Sequence, residues 1–282
     1  MPIDEAWSEI VPKFIRVPLL AYKYRNFIRT WAYRGLVALG WGRTDVVVVG
    51  RAGAGKSVLM ERLSGQIGDV NWQPPHLSTK VESAVLNLGQ RPLLIRTIPG
   101  QDSRERANGL HEALNRHKKL QGIIYVADWG YNAERQSAVA ADRITREGID
   151  TIDKLREFNL EAELRDFRDI VQRMKDAHSR TGGSFWLMVI VNKADLFFDR
   201  LDAAQTYYHH ATPAGFADAV DDLVKRIGGN RFRYESLPVS SWHEEFIWNG
   251  QTQESRLNDS QTRALFAHMR DRINHLSDWW NS

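Results

Sequence analysis

Eight consecutive residues have the types and spacing to hold a polyphosphate: Gly50-Arg51-Ala52-Gly53-Ala54-Gly55-Lys56-Ser57. They match the pattern G-x-x-x-x-G-K-S/T. A phosphate chain needs a ring of backbone N–H donors at close range, and glycines let the backbone approach it. Gly50, Ala52, Gly53, Ala54 and Gly55 would form that ring. Lys56 would reach the β- and γ-phosphates, and Ser57 would hold Mg²⁺ through its hydroxyl. The context agrees, because the apolar stretch Val46–Val49 runs into the loop and a helical pattern, Val58–Leu63, leaves it.

A second constellation, Asn192-Lys193-Ala194-Asp195, closes the apolar run Phe185–Val191. With the phosphate loop upstream, it makes the chain resemble the Ras-like superfamily of small GTPases, whose guanine-reading motif is N-K-x-D. The resemblance implies GTP and GDP as ligands and Mg²⁺ as cofactor. In that reading the Asp195 carboxylate accepts hydrogens from guanine N1 and N2, a donor pair that adenine lacks. Asn192 and Lys193 would brace the loop and the base.

Further motifs follow in the family's order. Thr97-Ile98-Pro99-Gly100-Gln101 stands where the family has D-x-x-G-Q. Gly100 would offer its N–H to the γ-phosphate and Gln101 would orient the attacking water, so Gln101 and Lys56 are the catalytic candidates. Thr97 replaces an aspartate that supports the Mg²⁺ shell through water. The T-x-P-G-Q form is similar to the bacterial polarity GTPases of gliding motility, which carry an arginine just before the switch threonine; here Leu77 and Ser78 stand there. Thr79, with Ser78 as the alternative, is the candidate to complete the Mg²⁺ shell that Ser57 begins. Ser240-Ser241-Trp242 resembles the S-A-K motif that cradles guanine O6, with Trp242 in the lysine position. That indole could stack on the base or could be a core tryptophan at a strand end. Arg51, Arg104 and Arg106 are candidates for an arginine finger in cis.

The elements that must position these residues read as an α/β fold. Continuous apolar runs at Asp45–Val49, Pro92–Ile98, Gly122–Ala127, Phe185–Val191 and Ser236–Val239, with a further strand at Ser83–Leu88, indicate strands buried on both faces. Helical patterns between them imply a P-loop domain: a six-stranded, mostly parallel sheet flanked by helices. We expect this domain to span residues 44–282, with a helical insertion at about residues 131–181 and a second addition at about Phe197–Gly229. Within the first, Leu164, Phe167, Val171 and Met174 share one helical face. The final helix, with Leu265, Phe266, Met269, Ile273, Leu276 and Trp280, should pack across the sheet.

Residues 1–43 form a separate arm. From Lys13 to Arg43 it carries basic residues and no acidic one, with apolar residues at helical spacing on either side of Pro18. It resembles the amphipathic helix of Arf-type GTPases, so residues 7–41 are candidates for peripheral membrane contact; a helical hairpin packed on the main domain would explain the same pattern. The start, Met1-Pro2-Ile3-Asp4-Glu5, has neither the basic region of a secretory signal nor the glycine of a myristoylation site. The chain has no cysteine, which excludes disulfides, thiol nucleophiles and prenyl anchors. A net charge of +3 over 282 residues makes no case for nucleic acid. The expectation is a cytoplasmic GTPase switch with slow intrinsic hydrolysis, working with an effector or activating protein. The alternative is a pseudo-GTPase: a nucleotide-binding scaffold in a signalling or defence complex.

Overall fold

The computed structural model describes residues 45–65, 80–87, 92–100, 103–115, 120–133, 136–209 and 215–282. The arm over residues 1–43, the switch candidates Ser78 and Thr79, and Gln101 lie outside the described residues. Six strands form one sheet in the order β2-β3-β1-β4-β5-β6. They are β1 (Val46–Val49), β2 (Glu82–Asn87), β3 (Pro92–Thr97), β4 (Gly122–Ala127), β5 (Phe185–Val191) and β6 (Phe232–Pro238). All neighbours run parallel except β2, which pairs antiparallel with β3. This is a mixed α/β sheet, mostly parallel and flanked by helices, and it is consistent with a P-loop GTPase fold.

The four valines of β1 show why the central strands read as unbroken apolar runs. Val46 and Val48 face the helices α1 (Lys56–Leu63) and α7 (Asp259–Asn281), packing with Leu59, Met60, Phe266, Met269, Ile273 and Leu276. Val47 and Val49 face the other side, against α2 (Arg104–Asn115), α4 (Ile152–Thr181) and α6 (Gly215–Ile227). Both faces are covered, so neither tolerates a polar residue. The last helix, α7, does lie across the sheet on the α1 side; it starts from a capping box in which Asn258 and Gln261 satisfy each other's backbone N–H groups.

The expected strand at Ser236–Val239 begins earlier, at Phe232. Its first half, Arg233-Tyr234-Glu235, is polar because β6 is the sheet edge and only partly covered there. A small hairpin, β7 (Phe246–Trp248) with β8 (Gln251–Gln253), was not expected. Asn249 and Gly250 form its turn, both at positive φ, 46° and 75°, as a type I′ turn requires.

The segment 131–181 contains a short helix without buried residues, α3 (Ser137–Thr145), and the long α4. Helix α4 is not a solvated decoration. It is the crossover between β4 and β5, and its buried face changes character along its length. Phe167, Ile170, Val171, Met174 and Ala177 pack on the sheet, whereas Arg156, Asn159 and Glu163 are polar and buried. The polar half lies at the end of the sheet where β1 meets the phosphate loop. Leu201–Tyr208 (α5) and α6 occupy the second addition and pack against β6 and α4.

Candidate functional site

The site is built where the C-terminal ends of β1, β3, β4, β5 and β6 deliver their loops. The phosphate loop leaves β1 and turns directly into α1, whose first N–H groups have no intrahelical partner. Its N-cap is Gly55, with no side-chain cap, so the helix start is open to an anion. Two glycines are required by close approach. Gly53 (φ +82°) and Gly55 (φ +87°) sit in the left-handed region, and a Cβ there would run into the side chains of Asn132 and Asn192 respectively.

Lys56 is buried and folds back on its own loop, donating to the Gly50 carbonyl at 2.9 Å and the Arg51 carbonyl at 2.8 Å. An ammonium has three N–H bonds, so these two contacts fix its direction and leave the third. Burial, and then the charge of Arg106, lower its pKa to about 8. Ser57 follows, half-buried at the start of α1.

Three further loops converge on this one. Asn192 ties them together: its Nδ2 donates to the Ala54 carbonyl at 2.9 Å, and its Oδ1 accepts from the N–H and the hydroxyl of Ser241 at 3.0 and 2.9 Å. Lys193, at φ +61°, points its ammonium to the buried Asp128 carboxylate at 3.3 Å and to the Tyr131 carbonyl. Asp195 is buried, and its Oδ1 accepts from the Ser240 hydroxyl at 2.7 Å. Its Oδ2 is also buried and has no hydrogen-bond partner. Unpaired buried carboxylate oxygens are costly and therefore rare away from binding sites. Trp242, which follows the two serines, is 38% exposed; it is not a core tryptophan.

Thr97 is buried at the end of β3, and Gly100 follows it onto the phosphate loop. The Gly100 carbonyl accepts from Ala52 N–H at 3.1 Å and from Arg106 at 3.0 Å. Of the three candidate finger arginines, Arg104 is exposed. Arg51 donates to Asn159 at 3.1 Å. Arg106 is buried, bonded to the carbonyls of Gly50 and Gly100 and ion-paired with Asp166. Its guanidinium therefore braces the loops rather than standing free for a substrate. Burial pushes the Asp166 pKa up, against the opposing pull of Arg106.

The sequence did not single out the residues of α4 and of the loop after β4 that complete this frame. Asn132 donates to the Ala52 carbonyl at 2.6 Å, and Asn159 donates to the Asn132 and Gly130 carbonyls at 2.6 and 3.0 Å. Tyr125 donates to Asp166 at 3.0 Å. Glu163 accepts from Asp128 N–H at 3.0 Å and from the Tyr208 hydroxyl; burial and then the Asp128 charge push its pKa up. An acidic residue directly after a buried strand, as at Asp128, was a signal available in the sequence. The α4 contacts had none, because they depend on how the helix lies.

Comparison with known proteins places a family model described as "50S ribosome-binding GTPase" on residues 45–165. It covers the phosphate loop through the first half of α4 and stops before Asn192. No curated protein matched the sequence. Among solved structures, the chain is similar to the signal recognition particle receptor SRb-GTP/SRX complex from Chaetomium thermophilum, at 14% identity and a TM-score of 0.44, covering 71% of this chain and 94% of that one. It is also similar to the Arl6 BBS3 small GTPase from Trypanosoma brucei with bound GppNp, at 12% identity and a TM-score of 0.38, covering 82% and 98%. A third is the mammalian SRP receptor, at 15% identity and a TM-score of 0.39, covering 70% and 90%. At these scores the structural likenesses add nothing to what the sheet order and loop geometry already establish.

Proposed function

We propose that this protein binds GTP and GDP with Mg²⁺, hydrolyses GTP slowly, and acts as a switch read by partner proteins. The observation that carries the reading is Asp195 Oδ2: a buried carboxylate oxygen without a partner, held by Ser240 and standing beside the Asn192 bridge to the phosphate loop. Guanine N1–H and N2–H are the donors that such an oxygen lacks, and Ser241 and Trp242 line the same edge.

The remaining residues fit the phosphates and the metal. Backbone N–H groups from Gly53 to Ser57 would surround the β-phosphate, and the third N–H of Lys56 would reach the β- and γ-oxygens. Ser57 and Thr79 would hold Mg²⁺, which neutralises developing charge in phosphoryl transfer. Among the described residues no group of three or more His, Cys, Asp or Glu side chains could hold a metal ion. In hydrolysis, water held by Gln101 attacks the γ-phosphorus and the bond to the β-bridging oxygen breaks, giving GDP and phosphate. Gly100 N–H would sense the γ-phosphate, and its turning to that phosphate, as the Gly100 carbonyl gives up the N–H of Ala52, would be the switching event. With Arg106 committed to bracing, hydrolysis without a partner should be slow, and an activating protein would supply the missing cation.

A second reading, a nucleotide-binding scaffold without turnover, is favoured by one observation: buried, neutral Thr97 occupies the position of the family's aspartate. Among the described residues no helix is long and apolar enough to cross a membrane; membrane contact, if made, would fall to residues 7–41. The test is nucleotide extraction from purified protein, then calorimetric titration with GTP, GDP and ATP in Mg²⁺. Tight GTP and GDP binding without ATP binding supports the guanine reading; ATP binding, or none, overturns it. Mg²⁺-dependent GTP turnover above background excludes the scaffold.

A further inference from the structure

The β2–β3 pairing sets three pairs of residues directly opposite one another on one face: Leu86 with Leu93, Ala84 with Ile95, and Glu82 with Thr97. The first two pairs pack into the cluster built around α1. Glu82 is the next member of that stripe and continues it towards the phosphate loop. It is exposed, while Thr97 opposite it is buried. Directly opposed antiparallel residues hold their Cβ atoms about 4.5–5.5 Å apart, and glutamate is one methylene longer than aspartate. A carboxylate at 82 can therefore occupy space near that of an aspartate side chain at 97.

The charges around Lys56 point the same way. Three carboxylates act on its ammonium: Asp166, Asp128 and Glu82. Asp166 is held by Arg106 and Tyr125, and Asp128 by Lys193. Asp166 rides on α4, on the opposite face of the sheet from α1. Glu82 lies in the stripe of Ala84 and Leu86, which packs with α1, the helix that Ser57 begins.

We propose that Glu82 supplies, from the neighbouring strand, the carboxylate that the Mg²⁺ water shell needs and that Thr97 cannot give. Its role is that of an outer partner accepting hydrogens from metal-bound water, which orients the inner shell and adds negative charge beside a divalent ion. The inference rests on the guanine-nucleotide and Mg²⁺ reading, and the experiment separates the two. Full-length protein is loaded with fluorescent GDP, and release is timed across a Mg²⁺ series and in chelator. In the wild type, chelation should speed release. In Glu82→Gln the Mg²⁺ concentration that half-protects the complex should rise about tenfold or more, the usual cost of losing an outer-shell partner. Adding Thr97→Asp to that variant should bring it back. An unchanged Mg²⁺ midpoint in Glu82→Gln overturns the inference alone, as does a shift that Thr97→Asp leaves in place in a double variant of unaltered melting temperature. A wild type that takes up no fluorescent GDP, or whose release ignores chelation, overturns the nucleotide-and-metal reading and this inference together.

Discussion

Asp195→Asn should move binding and stability in opposite directions. The Oδ1 atom accepts from Ser240 at 2.7 Å, while Oδ2 is buried without a partner. Against guanine, the carboxylate would accept two charge-assisted hydrogen bonds, each contributing roughly 1.5–3 kcal/mol. The amide replaces one acceptor with an NH₂ that faces a donor. Loss of both bonds would cost about 3–6 kcal/mol, a fall in GDP affinity of about 10²–10⁴-fold. Without nucleotide the sign reverses, because an unpaired buried charge has become neutral. The empty protein should gain about 1 kcal/mol or more against urea. Xanthine carries a carbonyl where guanine has the 2-amino group, so the variant should recover affinity for the xanthine nucleotide. Calorimetry with both diphosphates and urea unfolding of stripped protein read the three outcomes. A GDP affinity within threefold of wild type, on the order of 0.6 kcal/mol, would show that Asp195 does not read the base.

Three other perturbations test the rest of the frame. The nucleotide-free Lys56 keeps its proton only up to about pH 8; phosphates favour the charged form, so GTP affinity should be full below that pH and fall by about tenfold per unit above it, and a flat calorimetric profile to alkaline pH would contradict this. Arg106→Ala removes one partner of a buried ion pair together with two loop contacts and should cost about 3–5 kcal/mol in urea unfolding; a loss under about 1 kcal/mol, the level of a surface pair, would show that the guanidinium does not brace the loops. Gln101→Ala should slow single-turnover GTP cleavage by about a hundredfold, the scale of a misplaced reactant, with GDP affinity unchanged; unaltered cleavage would remove its proposed role.

The legible parts of this protein were those that are local in sequence. The phosphate loop is eight consecutive residues between a strand and a helix, and the base-side loop follows the unbroken apolar run of β5. Elements that trade on tertiary position were harder. The first half of β6 is an edge with polar residues facing out, so the apolar-run criterion started it late. The β7–β8 hairpin carries a plain Asn-Gly turn signal but only three residues a side, too few for alternation to show. Glu82 gave no sign at all, because its meaning depends on the β2–β3 register.

Helix α4 shows why the segment that looks like an insertion belongs to the site. A continuous polar path runs along its first half. Gly100 and Gly50 bond to Arg106, which pairs with Asp166; Asp166 accepts from Tyr125, which also donates to the Glu163 carbonyl at 3.1 Å. Glu163 in turn accepts from Asp128 N–H, and the Asp128 carboxylate accepts from Lys193. The phosphate-side glycine and the base-side lysine thus rest on the same helix, two turns apart or less. The β7–β8 hairpin secures that helix at its start: Gln251 accepts from Ile152 N–H at 2.9 Å, and Trp248 donates to the Ile149 carbonyl at 2.8 Å. Burying Asn159, Glu163 and Asp166 costs desolvation that an apolar face would avoid. What these residues provide instead is direction, since hydrogen bonds fix the loop backbones in a way that dispersion contacts cannot. The apolar second half of α4 anchors the helix to the sheet, and the polar first half carries the floor of the site.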